Sequence, residues 1–146
     1  MWFAAALGAM WALHRWAPVG TLVPFPWSRS GWLLVAFGGS LALPAIRAFR
    51  REATPVKPFR PVTSLVATGP YRFTRNPMYL GLVAVSFGVG ILHGTATPLL
   101  VPPLFWALLD RRFVRREEAM LLEAFGDGYR GYCARVSRWW GRTRAG

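Results

Sequence analysis

The sequence has 146 residues, of which 53% are hydrophobic and 16% are charged. Soluble domains carry about a quarter charged residues, so this composition favours a protein that uses lipid as its solvent. The formal net charge of +12 is divided among segments that lie between apolar runs. It therefore argues against one continuous face for nucleic acid. Cys133 is the only cysteine, which excludes an intrachain disulfide and a multi-cysteine metal site.

Four apolar stretches are the main elements that the sequence predicts. They lie at residues 1–13, 31–46, 77–92 and 96–109. Each is shorter than the ~20 residues of an untilted membrane helix, so we expect thin spans with snorkelling ends. His14 and Arg15 interrupt the first stretch, where a helix on the lipid surface is the alternative to a span. No basic region precedes this stretch, so we expect it to be retained and not cleaved as a signal peptide.

The charged residues between these stretches predict the orientation of the chain. Residues 47–76 are rich in arginine and contain the single acid Glu52, which predicts a cytoplasmic loop. Residues 93–98 contain no formally charged residue. Residues 77–109 are therefore predicted to form a helical hairpin that turns on the opposite side, after two apolar helices in residues 1–46.

Residues 110–146 are predicted to return to the cytoplasm as helices. Residues 110–125 have apolar side chains at helical spacing that form one face, and a helix stop is predicted at Gly126. Beyond it, Tyr129, Tyr132 and Val136 recur at helical spacing, as in a helix that lies at the membrane interface. The predicted fold class is all-α: one integral membrane domain over 1–146, with about four transmembrane helices and a C-terminal interfacial helical tail.

The densest group of polar residues precedes the third apolar stretch. Asn76 and Pro77 are typical of an N-cap and a first helical residue. Arg75 beside a helix N-terminus favours an anionic group such as a carboxylate or phosphate. Tyr71 and Tyr79 add aromatic faces that attract sulfonium or quaternary ammonium groups. The alternative is that the arginines only set the topology and the tyrosines only anchor the chain at the membrane surface.

A second group of polar residues follows the fourth stretch. Glu117 and Glu118 could hold an ammonium group or balance nearby arginines. The alternative is an exposed face of arginine and glutamate, which contributes little to stability. No metal site is predicted, because His14 and His93 are isolated in the sequence. No dinucleotide, P-loop or H-E-x-x-H motif is present.

Two separated motifs together resemble the isoprenylcysteine carboxyl methyltransferase family. They are Gly69-Pro70-Tyr71-Arg72-Phe73-Thr74-Arg75-Asn76-Pro77-Met78-Tyr79-Leu80-Gly81 and, later, Glu117-Glu118, Phe125-Gly126, Tyr129, Tyr132 and Arg135-Val136. The resemblance covers approximately residues 47–140, and the related phospholipid methyltransferases share the general plan. It implies a compact, prokaryotic-type membrane enzyme that binds S-adenosylmethionine between cytoplasmic loops and helix ends, without a Rossmann domain.

The resemblance also implies roles for individual residues. The implied cofactor contacts are Thr63, Ser64, Leu65, Val66, Tyr71, Asn76, Pro77, Met78, Tyr79 and Glu117. Arg75 and Glu118 are the candidate catalytic residues, and no metal ligand is implied. Asn76 stands where the family often has histidine, so an imidazole base is excluded there. Arg112 and Arg116 are candidates for substrate contact, because Phe113 occupies a position that can be basic in relatives.

The function that the resemblance implies is methyl transfer from S-adenosylmethionine to a carboxyl group or similar nucleophile of a lipophilic, isoprenylcysteine-like substrate. The first alternative is a phospholipid or lipid-amine N-methyltransferase, for which Glu118 is the plausible nearby base. The second is a non-catalytic membrane scaffold of the same fold. Expected partners are a lipophilic substrate and membrane lipid, with no nucleic acid and no obligate protein partner. The expected location is the prokaryotic inner membrane, crossed several times, with the active site facing the cytoplasm.

Overall fold

The computed structural model describes residues 1–51 and 65–140. Its long helices are α1 (Trp2–Trp16), α2 (Gly31–Arg51), α3 (Pro77–His93), α4 (Val101–Leu109) and α5 (Arg115–Arg135). Short 3-10 turns occupy Trp27–Ser30, Gly69–Arg72 and Thr97–Leu100, and one π-helical turn, Asp110–Val114, joins α4 to α5. An isolated bridge pairs Thr21 with Thr95. The predicted all-α class is confirmed for the described residues.

Two of the four predicted apolar stretches form the most membrane-like helices among the described residues. The segment Trp27–Ala48, which includes most of α2, has 22 residues with a mean hydropathy of 1.4 and is long enough to cross a bilayer. Helix α3 is apolar but has 17 residues. Helices α1 and α4 have 15 and 9 residues and are shorter than a span requires. A bundle of four spans therefore stays a prediction, as does the single domain.

The chain separates into two compact units, residues 1–40 with 81–108 and residues 41–80 with 109–146. In the first unit α2 and α3 pack through glycines. A Cβ atom on Gly38 would contact the carbonyl oxygen of Gly81 and lie 2.7 Å from Cγ2 of Val85. A Cβ atom on Gly88 would lie 2.6 Å from the carbonyl oxygen of Gly31. Glycine at these positions lets the two backbones come into contact.

The two histidines are also in the first unit, where the fold brings together residues that are isolated in the sequence. The ring of His14 stacks on that of His93 with 4.7 Å between centroids. Nδ1 of His14 lies 2.9 Å from Oγ1 of Thr95, within hydrogen-bonding distance. The contact joins the ends of α1 and α3, which are far apart in sequence, so helical spacing alone does not predict it.

In the second unit the tail is helical on both sides of Gly126. Gly126 has non-helical dihedral angles, φ of 50° and ψ of −121°, so the first part of α5 ends there as predicted and a second helical part continues to Arg135. Tyr129, Tyr132 and Val136 are 3%, 4% and 7% exposed and form one buried cluster. Their apolar face therefore packs inside the protein and does not face lipid, and the interfacial position of the tail stays a prediction.

Candidate functional site

The second unit contains a cavity between the start of α3 and the first turns of α5. It is lined by Leu65, Val66, Tyr71, Arg75, Asn76, Met78, Tyr79, Glu117, Glu118, Leu121, Tyr129 and Tyr132. Its volume is about 60 Å³. Both polar groups that the sequence singled out, the segment before α3 and the adjacent glutamates, therefore contribute to one site.

Most of the residues implied by the family resemblance lie in this wall. Among the described residues, every implied cofactor contact except Pro77 lines the cavity. Pro77 is fully buried as the first residue of α3. Thr63 and Ser64 lie outside the described residues. Arg112 and Arg116 are exposed and are not part of the lining, so the cavity gives no support for their contact with a substrate.

The segment before α3 presents its side chains to the cavity through a tight turn. Gly69 opens the turn with φ of +59°, a conformation that side chains disfavour. The turn buries Tyr71 in a cluster with Ala45 and Val66. The hydroxyl of Tyr132 donates a 2.7 Å hydrogen bond to the carbonyl oxygen of Tyr71. The ring of Tyr71 is thus packed in this cluster, and its backbone is held by Tyr132.

Asn76 holds the backbone position expected of an N-cap. Its carbonyl oxygen accepts a 2.9 Å hydrogen bond from the amide of Leu80, the first bond of α3. Its side-chain Nδ2 instead donates to the carbonyl oxygen of Arg138 at 3.1 Å. The side-chain amide of Asn76 therefore attaches the C-terminal segment to the start of α3.

Tyr79 and Glu117 form a direct contact between α3 and α5. The hydroxyl of Tyr79 donates to Oε1 of Glu117 at 2.7 Å. The ring of Tyr79 also lies against Phe113, with 6.2 Å between centroids. Burial raises the pKa of Glu117 above its ordinary value, although the hydrogen bond from Tyr79 opposes the shift. This carboxyl group would gain from a bound cation, which favours the charged form.

Arg75 and Glu118 form a second polar pair in the same wall. Nη1 of Arg75 lies 3.3 Å from Oε1 of Glu118, and the two side chains are 15% and 12% exposed. The same Nη1 donates to Sγ of Cys133 at 2.7 Å. Nε of Arg75 is buried and has no partner at hydrogen-bonding geometry among the described residues. A buried donor of this kind can bind an anionic group.

The alternative of an exposed face of arginine and glutamate is therefore wrong for both glutamates. Glu117 and Glu118 lie in the cavity wall, and each has a specific partner from another segment. Arg115 and Arg116 on the same turn are exposed. The charged residues of this helix turn therefore divide between the cavity wall and the exposed surface.

Sequence reasoning did not assign Leu121, Tyr129 and Tyr132 to the site. All three line the cavity. Leu121 follows Glu117 by one helical turn, so it lies on the same face of α5. The two tyrosines are three residues apart and share a face in the same way. Their spacing is visible in the sequence, but spacing alone does not show whether lipid or protein covers the shared face.

The arrangement fits a ligand that carries both signs of charge. Arg75 supplies a donor for an anion, and the glutamates with the aromatic rings supply a site for a cation. The cavity is smaller than the ~300–1,000 Å³ of typical ligand pockets, so a large ligand would have to widen it. Leu65, which lines the cavity, follows residues 52–64 in the sequence, and these lie outside the described residues.

Comparison with known proteins identifies the family of the chain. The family described as phospholipid methyltransferase matches residues 27–128. The chain is also 34% identical over 73 residues to the protein-S-isoprenylcysteine O-methyltransferase of Schizosaccharomyces pombe. That match covers 49% of this chain and only 30% of the yeast protein, so less than a third of that relative is represented. The family match includes most of the cavity wall, and the chain belongs to the phospholipid methyltransferase family.

Proposed function

We propose that this protein is a membrane enzyme that uses S-adenosylmethionine to methylate a carboxyl group or similar nucleophile of a lipophilic, isoprenylcysteine-like substrate. Membership of the family supports methyl transfer, and the similarity to the yeast enzyme supports a carboxyl acceptor. The observation that carries the proposal is the cavity, in which the Tyr79–Glu117 and Arg75–Glu118 pairs share one wall.

The polar groups of the cavity match the chemical groups of the proposed cofactor. Arg75 would bind its carboxylate through a charge-assisted hydrogen bond. Glu117, oriented by Tyr79, would bind its ammonium group. The aromatic faces of Tyr71 and Tyr132 would attract the sulfonium. When bound, S-adenosylmethionine supplies the electrophilic methyl group.

The protein contributes alignment and exclusion of water. The apolar side chains of Leu65, Val66, Met78 and Leu121 line the same cavity and would keep water from the reacting groups. Fixed polar contacts hold the ligand in one orientation, which favours an in-line displacement on the methyl carbon. A carboxylate acceptor is already ionised near neutral pH and needs no base. No covalent intermediate with the protein is required.

A phospholipid or lipid-amine N-methyltransferase is the second candidate, and two observations favour it. The family carries the description phospholipid methyltransferase. Oε1 of Glu118 is buried in the cavity wall and could accept the proton that an amine must lose before it attacks. A non-catalytic scaffold is disfavoured, because it has no need for two partly buried glutamates that are each held by a residue of another segment around a cavity.

We also propose that the protein crosses the inner membrane of a prokaryote several times, with the cavity towards the cytoplasm. Arg47 at the end of α2 and Arg72 and Arg75 before α3 supply positive charge on the side of the cavity. Such charge is retained on the cytoplasmic side of membrane proteins. Membrane-impermeant thiol reagents on spheroplasts test this, using single cysteines placed at Arg72 and at Gly94 in a Cys133→Ser background. Labelling at Arg72 and not at Gly94 would contradict the orientation.

The first test is calorimetric titration of the purified protein in detergent with S-adenosylhomocysteine, the demethylated product. We expect saturable binding at one site that Arg75→Ala weakens by roughly 1.5–3 kcal/mol, as expected for a lost charged hydrogen bond. Arg130→Ala is the matched control, since Arg130 and its partner Asp127 have side chains that are 70% and 92% exposed. No binding by a sample with a helical spectrum and a cooperative thermal transition would contradict the proposal.

Acceptor assays then separate the two candidate reactions. The protein is incubated with methyl-labelled S-adenosylmethionine and either an S-farnesylcysteine derivative or phosphatidylethanolamine. A methyl ester releases labelled methanol in base, whereas a methylated amine retains its label. Base-labile label on the farnesylcysteine derivative supports the first candidate, and base-stable label on the phospholipid supports the second.

A further inference from the structure

Arg138 lies just beyond the end of α5 and links three segments of the second unit. Its Nε and Nη2 donate to Oε2 of Glu118 at 3.0 and 2.6 Å. Its Nη1 lies 3.8 Å from Oδ1 of Asp110. Arg138 is not part of the cavity lining. Its side chain therefore reaches the cavity wall through the glutamate that it holds.

The backbone of Arg138 is held independently of its side chain. Its carbonyl oxygen accepts hydrogen bonds from Oγ1 of Thr74 and Nδ2 of Asn76, both at 3.1 Å. The carbonyl oxygen of the preceding residue, Ser137, accepts a 3.0 Å bond from the amide of Arg75. A change of the Arg138 side chain leaves these three bonds available. Substitution can therefore remove the link to Glu118 while the C-terminal segment stays attached.

The two oxygens of Glu118 have different environments. Oε2 accepts both bonds from Arg138, whereas Oε1 is buried 3.3 Å from Nη1 of Arg75 without hydrogen-bonding geometry. Arginine and carboxylate groups frequently form a fork of two parallel hydrogen bonds. Arg75 and Glu118 do not form this fork, and one oxygen of Glu118 is held by Arg138 instead. Nε of Arg75 is buried without a hydrogen-bond partner among the described residues.

We propose that Arg138 is a positioning residue of this cavity, which holds Glu118 away from a closed pair with Arg75 so that Arg75 can bind the anionic group of a ligand. The inference rests on the proposed function, because it takes the carboxylate of S-adenosylmethionine or its product as that group. Without Arg138, the carboxylate of Glu118 turns towards Arg75 and occupies its donors. The ligand then has to break this pair before it binds.

A double-mutant cycle tests the proposal, with affinity for S-adenosylhomocysteine measured by calorimetry in detergent. We expect Arg138→Gln to weaken binding about tenfold in the wild-type background and less than twofold in a Glu118→Gln background, because removal of the glutamate charge removes the competing pair. Arg138→Lys should retain part of the affinity, since lysine donates to Oε2 without the planar fork. Arg130→Gln in α5 is the control and should change nothing.

The outcomes separate this inference from the function on which it rests. Equal losses of affinity from Arg138→Gln in both backgrounds would show that Arg138 acts on the fold and not through Glu118, and would overturn the inference. Binding by the wild type would still support the proposed function. An Arg138→Gln protein that binds like the wild type would overturn it as well. Failure of the folded wild type to bind would overturn both. If Arg138→Gln loses its helical spectrum, Arg138→Lys in the two backgrounds provides the same comparison.

Discussion

The hydroxyl of Tyr79 in α3 donates a 2.7 Å hydrogen bond to Oε1 of Glu117 in α5. The contact joins residues that are 38 positions apart and lies in the wall of the cavity. The bond fixes one oxygen of the Glu117 carboxyl group, which is largely buried in the protein. The position of Glu117, and with it the proposed site for a cation, therefore depends on a group from another helix.

Loss of this hydroxyl should weaken ligand binding more than folding. We expect Tyr79→Phe to reduce the affinity for S-adenosylhomocysteine by about 1.5–3 kcal/mol, the usual cost of losing a hydrogen bond to a charged group. The ring and its contact with Phe113 are retained, so the thermal midpoint should change little. Calorimetry and thermal unfolding of the same samples measure the two effects. An equal loss of binding affinity and of folding stability would show that the Tyr79–Glu117 bond mainly stabilises the fold.

The raised pKa of Glu117 predicts a pH dependence of binding. Burial raises this pKa above its ordinary value of 4.5, so the ligand-free protein retains a proton there when the unfolded chain has lost it. A cation binds the ionised form better, so affinity should increase as the pH rises through this raised pKa. Glu117→Gln should remove that rise in titrations with S-adenosylhomocysteine. A rise of the same size in Glu117→Gln would assign the titration to another group.

The same shift predicts the opposite trend for stability without ligand. Between the ordinary and the raised pKa the folded state binds more protons than the unfolded state, so the contribution of Glu117 to stability decreases as the pH rises. Glu117→Gln should flatten this decrease in thermal unfolding. Added S-adenosylhomocysteine should counteract it, because binding stabilises the folded state increasingly over the same range.

The sequence predicted the parts of the fold that depend on local pattern. Helices α2 and α3 follow from long apolar runs, and the start of α3 follows from Asn76 and Pro77. Much of the candidate site was found for the same reason, because residues 71–79 are contiguous in sequence and several line one cavity.

The remaining features depend on contacts between distant segments. Periodicity shows that Tyr129 and Tyr132 share a face, but it does not show whether lipid or protein covers that face. The bond between Arg138 and Glu118 spans 20 residues and a kinked helix, so no spacing rule predicts it. The stacking of His14 on His93 is likewise a product of how α1 and α3 pack.

Asp110 should stabilise the second unit at neutral pH and lose that effect in acid. Burial alone would raise its pKa, but hydrogen bonds from Arg115 and Trp139 outweigh burial and lower it. A lowered pKa in the folded state contributes stability above the ordinary value of 3.8, and this contribution is lost as the pH falls. We expect Asp110→Asn to lower the thermal midpoint near pH 7 and to reduce its fall towards acid. Asp127→Asn is the control, because the side chain of Asp127 is 92% exposed.

Adjacent glycines of α2 should respond in opposite ways to alanine. A Cβ atom on Gly38 would contact the backbone of α3 at Gly81, whereas a Cβ atom on Gly39 would have no neighbour within 4 Å. We expect Gly38→Ala to destabilise the protein by about 1–3 kcal/mol, because it forces two helices apart. Gly39→Ala should be neutral or stabilising by up to about 1 kcal/mol, since alanine favours the helix. Thermal unfolding in detergent compares the pair directly. Equal midpoints for the two variants would show that α2 and α3 do not pack through Gly38.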